Sequence, residues 1–314
     1  MGNIASGVSV LVAAYNAEAT VRRAVRSALD QSSAQEVLVF DDGSHDATAE
    51  VARGCDDGTG RLRVFRSDVN VGPSAARNRL ITESRAPLIC VLDADDFMRL
   101  GRLDALLAAA GGEDWDLLAD DLEFVEEHRE TVVLDRLLRP GEVLPRLMDA
   151  SEFVLRCLND PLRPRRELAF AKPLIRREFL LRNALRYEEG LRLGEDYLLY
   201  AGCLLAGARL KLVEACGYVA VQREGSLSGS HTTADLSAFL AADIGLQLLA
   251  PRKGPAHDAL VRHARQLRRN RDFRRMVDLR REGRFGKLIR TMVGSPDSTG
   301  RMIVQIIRDR VRAW

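Results

Sequence analysis

Three aspartates directly follow a short apolar run near the end of the first third of the chain. The run is Leu88 to Leu92, and Asp93, Asp95 and Asp96 come within the next four residues, in a segment without lysine or histidine. Like charges at short range repel, so three ionised carboxylates need a compensating partner. Mg²⁺ and Mn²⁺ prefer oxygen ligands and often bind through one or two carboxylates together with substrate phosphates. The segment therefore favours a Mg²⁺ or Mn²⁺ site, against the simpler interpretation that acids only end a strand.

A second acidic pair, Asp41 and Asp42, ends another apolar run. Apolar runs predict four strands, at residues 8–12, 37–40, 62–65 and 88–92, and helices are expected after the first three. This alternation predicts a parallel, doubly wound sheet. In such sheets ligands bind beyond the carboxyl ends of the strands, at the switch in strand order. Both acidic groups are therefore expected on one edge of one sheet.

A glycine turn and a helix start lie between the two acidic groups, in the segment Asn70 to Asn78. Helix N-termini attract anions, and Arg77 could reach a phosphate or neutralise an acid. The chain has no G-x-x-x-x-G-K-[ST] motif, and no G-x-G-x-x-G follows the first strand. A P-loop ATPase and a dinucleotide cofactor are therefore not expected. Tyr15 could instead stack on a base, and Asp42 could accept a hydrogen bond from a uracil N–H.

Five blocks of sequence occur in an order that resembles a known family. They are VSVLVAAYNAE, VLVFDDGSHDAT, NVGPSAARNRL, APLICVLDADD and GEDYLLY. Together they resemble the inverting family 2 glycosyltransferases of the GT-A fold, over most of residues 7 to 230. The resemblance implies an α/β fold with a Rossmann-like, doubly wound and mostly parallel sheet and an acceptor-binding half. A helical C-terminal extension is expected from the pattern of the tail itself, which lies beyond the resemblance. It also implies a nucleotide-sugar donor, usually UDP-linked, and a divalent metal, Mn²⁺ or Mg²⁺.

The resemblance also implies roles for individual residues. Asp95, in the D-x-D motif, resembles the metal ligand, and Asp196, in the GED block, resembles the general base. Asp96 and Glu195 resemble residues on the acceptor side. The residues that resemble the nucleotide-sugar site are Ala13, Tyr15, Glu18, Asp42, Arg77, Asp93, Ala94, Arg223 and Ser226.

In the family's reaction one carboxylate removes a proton from the acceptor hydroxyl as it attacks the anomeric carbon, and a single displacement inverts the configuration. The acids of the GED block could otherwise serve only to pair with the helix dipole. Arg223 and Ser226 follow the last predicted strand, in a loop that resembles the one folding over the diphosphate. Because the Q-x-x-R-W motif of processive synthases is absent, one sugar is expected per acceptor. A sugar-nucleotidyltransferase and a catalytically silent nucleotide-sugar-binding protein remain as alternatives.

Three regions describe the expected organisation: residues 1–100 as the nucleotide-sugar-binding half, 101–231 as the acceptor-binding and catalytic-base half, and 232–314 as a basic helical extension. Within the second region, residues 116–121 predict a strand that ends in acids and could line the acceptor pocket. Residues 170–177 resemble a family segment to which no catalytic role can be assigned.

Composition indicates a globular protein, with 46% hydrophobic and 29% charged residues. The five cysteines form no C-x-x-C pair, which argues against a disulfide framework or structural zinc and fits a reducing cytosol. No segment reaches the roughly 18 apolar residues that span a bilayer. A cytoplasmic protein is therefore expected.

The C-terminal region is strongly basic. From Pro251 onward there are 18 lysines and arginines against six acidic residues. Arginines alternate with apolar residues between Arg262 and Arg290, a pattern typical of basic amphipathic helices. These helices could pack on the acidic body, or lie peripherally on the anionic inner face of the membrane, which would suit a lipid-linked glycan acceptor. No nucleic-acid-binding module accompanies them, so nucleic acid is not an expected partner.

Overall fold

The computed structural model describes residues 7–112, 115–159, 166–223, 231–300 and 302–303. The chain divides into two structural units, residues 1–225 and 226–314. The first unit has an α/β fold, with one mixed sheet whose strands come from both predicted halves. The second unit is helical. The helical extension predicted from residue 232 thus lies within the second unit.

The described part of the first unit contains a ten-stranded sheet. Eight strands are hydrogen-bonded in the order β3-β2-β1-β4-β9-β6-β10-β5, while β7 pairs with β6 and β8 pairs with β10. The strands are β1 (Val8–Ala14), β2 (Ala34–Asp41), β3 (Leu62–Arg66), β4 (Leu88–Val91), β5 (Phe97–Met98), β6 (Leu117–Glu126), β7 (Val133–Arg136), β8 (Arg146–Met148), β9 (Leu174–Arg176) and β10 (Leu210–Gln222).

Helices connect the strands of the first unit and form the second. Those of the first unit are α1 (Val21–Leu29), α2 (Thr48–Arg53), α3 (Pro73–Glu83), α4 (Arg102–Ala109), α5 (Ala150–Arg156), the 3₁₀ helix Leu168–Phe170, α6 (Arg177–Arg182) and α7 (Glu195–Leu205). Those of the second are α8 (Thr233–Leu246), α9 (Pro255–Arg281) and α10 (Phe285–Gly294).

The parallel half of the sheet matches the sequence prediction. β1 pairs in parallel with β2 and with β4, and β2 pairs in parallel with β3. The acidic pair after β2 and the acidic triplet after β4 therefore leave the sheet at the same edge, on either side of β1. The other half is mixed, because β9 runs antiparallel to both β4 and β6.

The predicted amphipathic face of α1 is the face that packs inward. Its five apolar residues are all buried against the sheet side of the unit: Val21, Ala24, Val25, Ala28 and Leu29. Fully burying a valine or leucine side chain contributes about 1.5–3 kcal/mol to stability. The helix thus anchors the loop after β1, which carries Tyr15.

The strand predicted at residues 116–121 is longer than expected. β6 continues through the acids to Glu126, so the prediction of its end was wrong. Asp120 is buried, and its two carboxylate oxygens accept hydrogen bonds from Arg102 at 2.7 and 2.9 Å. Because the arginine neutralises it, this acid can lie inside a strand. Asp120 therefore does not line an open acceptor pocket.

The second unit has its own apolar core. Met276, Leu279, Leu288 and Met302 form a buried cluster, against which partly buried Phe273, Val277 and Met292 pack. At the start of α8, Thr232 and Asp235 form a reciprocal capping box. Within the described residues, no helix combines the length and apolar character needed to cross a membrane.

Candidate active site

The end of β1 leads into a loop that is bonded to the segment after β2. Tyr15 is 45% exposed at the end of β1, where an aromatic face is available to a ligand. The backbone N–H of Asn16 donates to Ser44 Oγ at 2.9 Å, and Glu18 Oε2 accepts from the Ala47 N–H at 3.0 Å. Glu18 therefore positions this loop. Ala13, the penultimate residue of β1, is partly buried.

Asp42 joins the end of β2 to the turn before α3. Its carboxylate is buried and accepts hydrogen bonds from the backbone N–H groups of Val71 and Gly72, at 2.7 and 2.8 Å. Gly43 beside it has φ of +73°, and a Cβ there would lie 2.7 Å from the backbone carbon of Val69. Only glycine suits this close approach. Each Asp42 oxygen still has a second lone pair for a ligand donor.

Arg77 extends from α3 into a group of carboxylates. Its guanidinium forms ion pairs at 2.8 Å with Asp93 and at 2.8 Å with Glu195, and lies 3.6 Å from Asp196. The side chain is only 7% exposed and stacks over the Tyr187 ring at 5.3 Å. Of the two roles considered for Arg77, this geometry shows the neutralisation of acids, on the edge of the sheet where a phosphate would bind.

Lys172 is the central residue that sequence reasoning did not identify. Its Nζ lies 2.7 Å from Asp196 Oδ2 and 2.9 Å from Asp93 Oδ2, and its side chain is 6% exposed. Burial would lower the pKa of this amine, but Asp196 and Asp93 outweigh burial and raise its pKa. Arg102 Nη2 donates a hydrogen bond to the Lys172 backbone carbonyl at 2.8 Å, which helps to hold the Lys172 backbone in place. The available signal was a single lysine within the apolar sequence AFAKPLI, because a buried lysine requires an acidic partner.

Asp196 lies in the first turn of α7 and is held at both oxygens. Lys172 binds Oδ2, and the hydroxyl of buried Tyr187 donates to Oδ1 at 3.0 Å. Glu195 points to Arg77 at the same helix start. The GED block is thus more than a pair of acids at a helix dipole, because both side chains engage buried cations.

Asp93 shares the same two cations. Burial would raise the pKa of its carboxyl group, but Lys172 and Arg77 outweigh burial and hold the pKa below the usual range. Asp93, Asp196 and Glu195 together with Lys172 and Arg77 therefore form one network of three partly buried carboxylates and two buried cations. The network carries an excess of one negative charge.

The other acids of the D-x-D segment lie in different surroundings. Burial, and then the charge of Asp93, raise the pKa of the Asp95 carboxyl group. Its backbone carbonyl accepts hydrogen bonds from Arg23 at 2.9 Å and from Arg223 at 3.1 Å. Ala94 between the two acids is 8% exposed. Arg223 is thereby brought to the D-x-D segment, and its donor-side role stays a prediction, whereas Ser226 lies outside the described residues.

The Asp96 side chain is bonded to β10 inside the first unit and does not face a pocket. Its carboxylate is buried and accepts from the Tyr218 hydroxyl at 2.8 Å and from the Val221 N–H at 2.9 Å. Burial and the neighbouring charges of Asp95 and Asp93 raise its pKa well above the usual value. These contacts fasten β10 to the acidic turn. They give no support to the acceptor-side role of Asp96, which stays a prediction.

Comparison with known proteins identifies the family. Residues 9–157 match the model of Glycosyl transferase family 2. The Succinoglycan biosynthesis protein ExoU of Rhizobium meliloti (strain 1021) is 44% identical, in an alignment that covers 98% of this chain and 89% of that protein. The chain belongs to glycosyltransferase family 2. Succinoglycan biosynthesis protein ExoO of the same organism is 32% identical to this glycosyltransferase, over 92% of the chain and 82% of ExoO.

The fold of this glycosyltransferase is also that of solved structures. S. aureus TarS 1–349 in complex with UDP-GlcNAc aligns with a TM-score of 0.62 and 19% identity, over 83% of this chain and 72% of that chain. The prediction of a GT-A fold is therefore confirmed. The identification as a glycosyltransferase decides against the nucleotidyltransferase alternative.

The described residues contain no ready-made cluster of metal ligands. No group of three or more His, Cys, Asp or Glu side chains among them is arranged to hold a metal ion. Asp93 is already engaged by Lys172 and Arg77, which leaves Asp95. Burial and a neighbouring negative charge disfavour the ionised form of Asp95, and a bound cation would offset both. The donor set thus fits a hard divalent ion that takes one protein carboxylate and completes its shell with phosphate oxygens and water.

Proposed function

We propose that this glycosyltransferase transfers one sugar, with inversion, from a UDP-linked donor to a glycan or lipid-linked glycan acceptor in bacterial exopolysaccharide synthesis. The observation that carries the proposal is the shared binding of Asp93 and Asp196 by Lys172. It joins a D-x-D acid, on the donor side, to the carboxylate assigned as the base. The biosynthetic role follows the two relatives, both of which are succinoglycan biosynthesis proteins.

Asp196 is the proposed general base. It removes the proton from the acceptor hydroxyl as the oxygen attacks the anomeric carbon and the bond to the diphosphate breaks. One displacement with one base inverts the configuration, so an α-linked donor gives a β-linked product. The transition state carries positive charge on the sugar ring, as in glycoside hydrolysis. Glu195, one residue earlier, is proposed to position the acceptor.

The donor is proposed to lie along the edge formed by β1, β2 and β4. Tyr15 stacks on the base and Asp42 accepts a hydrogen bond from it, with Ala13 and Glu18 beside them. Arg77, Arg223 and Ser226 are assigned to the diphosphate side, and Asp93 and Ala94 to the ribose and sugar. A Mn²⁺ or Mg²⁺ ion held by Asp95 would neutralise the charge that develops on the departing diphosphate.

A thermal-shift screen tests the donor directly. Each of several nucleotide sugars is added with Mn²⁺, and the melting temperature is measured, because a ligand that binds only the native state stabilises it. We expect UDP-sugars to raise the melting temperature and to be slowly hydrolysed to UDP. Binding of a UDP-sugar without turnover on any offered acceptor would favour the catalytically silent alternative. If no nucleotide sugar stabilised the protein, the proposed donor would be wrong.

Replacing Asp95 with asparagine is expected to weaken UDP binding in Mn²⁺ about tenfold, because even outer-shell partners of a metal contribute that much affinity. Without divalent metal, the variant and the parent protein should bind UDP alike. Isothermal calorimetry with and without Mn²⁺ measures both. Asp56→Asn, an exposed acid after α2, is the matched control. Equal Mn²⁺-dependent affinity in Asp95→Asn and the parent would remove Asp95 as the metal ligand.

The acceptor is proposed to be linked to a lipid, and the protein to contact the cytoplasmic face of the membrane through its basic C-terminal helices. From Pro251 onward the chain has 18 basic and only six acidic residues, which supports this contact. A basic residue near an anionic surface contributes about 1 kcal/mol. Deletion of residues 251–314 should therefore abolish cosedimentation with anionic liposomes.

A further inference from the structure

The apolar residues of α9 are not available to a membrane. Sequence periodicity made that helix the best candidate, but Leu267, Met276 and Leu279 are buried within the second unit. Phe273 and Val277 pack against the same unit's core. Whatever apolar surface this unit offers must therefore lie elsewhere in it.

Such a surface lies on α10. Phe285, Ile289 and Val293 are 62%, 62% and 78% exposed. They are spaced four residues apart, so they form one stripe along the helix. The adjoining side of the helix is used inside the unit, where Leu288 is buried and Met292 packs on the core cluster. Three large apolar side chains in a row on a solvent-facing stripe are uncommon for scattered surface residues and indicate a binding surface.

A basic residue borders this stripe. Arg290 and Lys287 are both exposed on α10, but Lys287 lies about 160° around the helix from the middle of the stripe, on the other side. At 100° per residue, Arg290 lies about 60° around the helix from Val293. No acidic residue occurs between Gly283 and Pro296. The helix thus has a buried side, an exposed apolar stripe and a cationic border, the arrangement of helices that lie in the interface of an anionic bilayer.

We propose that α10 is the element that docks this glycosyltransferase on an anionic lipid bilayer, with Phe285, Ile289 and Val293 inserted at the level of the headgroups. Arg290 contacts lipid phosphates beside them. Charge decides between a bilayer and a second copy of the chain: two α10 helices face to face would bring like charges together, whereas an anionic surface complements them. The inference deepens the proposed use of a lipid-linked acceptor and rests on it.

Cosedimentation of the full chain with vesicles tests the surface. The vesicles are phosphatidylcholine alone, or phosphatidylcholine with phosphatidylglycerol. We expect the parent protein to pellet with the anionic vesicles only. The triple variant Phe285→Ser, Ile289→Ser, Val293→Ser should lower the partition coefficient about tenfold, and Arg290→Glu, which reverses the charge beside the stripe, should lower it as well. Leu100→Ser, which changes an 83% exposed leucine in the first unit, should bind like the parent.

Three results would overturn the docking surface. One is a triple variant that pellets like the parent, and another is equal pelleting of the parent with neutral vesicles. The third is a parent dimer, seen by analytical ultracentrifugation, that the triple variant loses, since the stripe would then join two copies. Ile289→Asp alone replaces the triple variant if that one fails to fold. Stabilisation by UDP with Mn²⁺, measured on the same samples, reports the donor site separately from the membrane contact.

Discussion

Asp196→Asn is expected to lower the rate of sugar transfer about 10²–10⁴-fold, the usual contribution of a positioned general base. Asparagine keeps the size of the side chain, and its carbonyl oxygen can still accept a hydrogen bond from Tyr187 or Lys172. It cannot take a proton from an acceptor hydroxyl. The loss should therefore fall on the chemical step, measured as the initial rate of UDP release from the UDP-sugar selected by the thermal-shift screen.

Donor affinity separates a chemical role of Asp196 from a structural one. Because Asp196 touches the donor side only through Lys172 and Arg77, the affinity for UDP with Mn²⁺ should change less than about threefold. Glu195→Gln is the matched control, since it removes a neighbouring carboxylate that pairs with Arg77 in the same helical turn. Its transfer rate should fall less than that of Asp196→Asn. Parental transfer by Asp196→Asn would show that another group is the base.

The parallel half of the sheet and its acidic edge could be predicted because the signals are local. Each strand is a contiguous apolar run, and each acid follows it directly in the chain, so the edge follows from chain order alone. β6 was misjudged because its acid is compensated from elsewhere. Asp120 accepts two hydrogen bonds from Arg102, 18 residues earlier. A strand that carries a charge inward cannot be recognised until its partner is known.

The role of Lys172 was missed for the same physical reason. Its two partners, Asp93 and Asp196, lie on opposite sides of it in the sequence. The pairing of β9 with β4 brings Lys172 to Asp93, and Asp196 reaches the same amine from α7. Tyr187 likewise comes to Asp196 from a loop whose sequence carries no motif. Motifs located the acids of the site, whereas the cations that neutralise them come from tertiary structure.

The C-terminal unit shows what hydrophobic periodicity in the sequence cannot predict. The pattern of α9 correctly indicated an amphipathic helix, but a pattern does not say what the apolar face contacts. In the structure Met276 and Leu279 contact their own unit. The exposed stripe is on the shorter α10, at Phe285, Ile289 and Val293, where the number of turns is too small for a strong periodic signal.

Lys172→Met is expected to be the most damaging change outside the proposed base. Methionine fills a similar volume but leaves the partly buried Asp93 and Asp196 without their shared cation. Removing one partner of a fully buried ion pair costs about 3–5 kcal/mol. Because these carboxylates keep some contact with solvent and Asp93 keeps Arg77, the free energy of unfolding should fall by less, about 1–3 kcal/mol, in urea titrations. Lys172→Arg keeps the charge and should lose less. A methionine variant with parental stability would show that the network is open to water.

The same variant should also slow transfer about 10- to 100-fold, because a hydrogen bond to a charged group contributes about 1.5–3 kcal/mol. If Lys172 acts by holding Asp196, the double variant Lys172→Met, Asp196→Asn should transfer no more slowly than Asp196→Asn alone, since the group being held is already inactive. If Lys172 acts through Asp93 on the donor, the two losses should multiply and the affinity for UDP should fall. The cycle thus decides whether the buried amine, 2.7 Å from Asp196 and 2.9 Å from Asp93, serves the base or the donor.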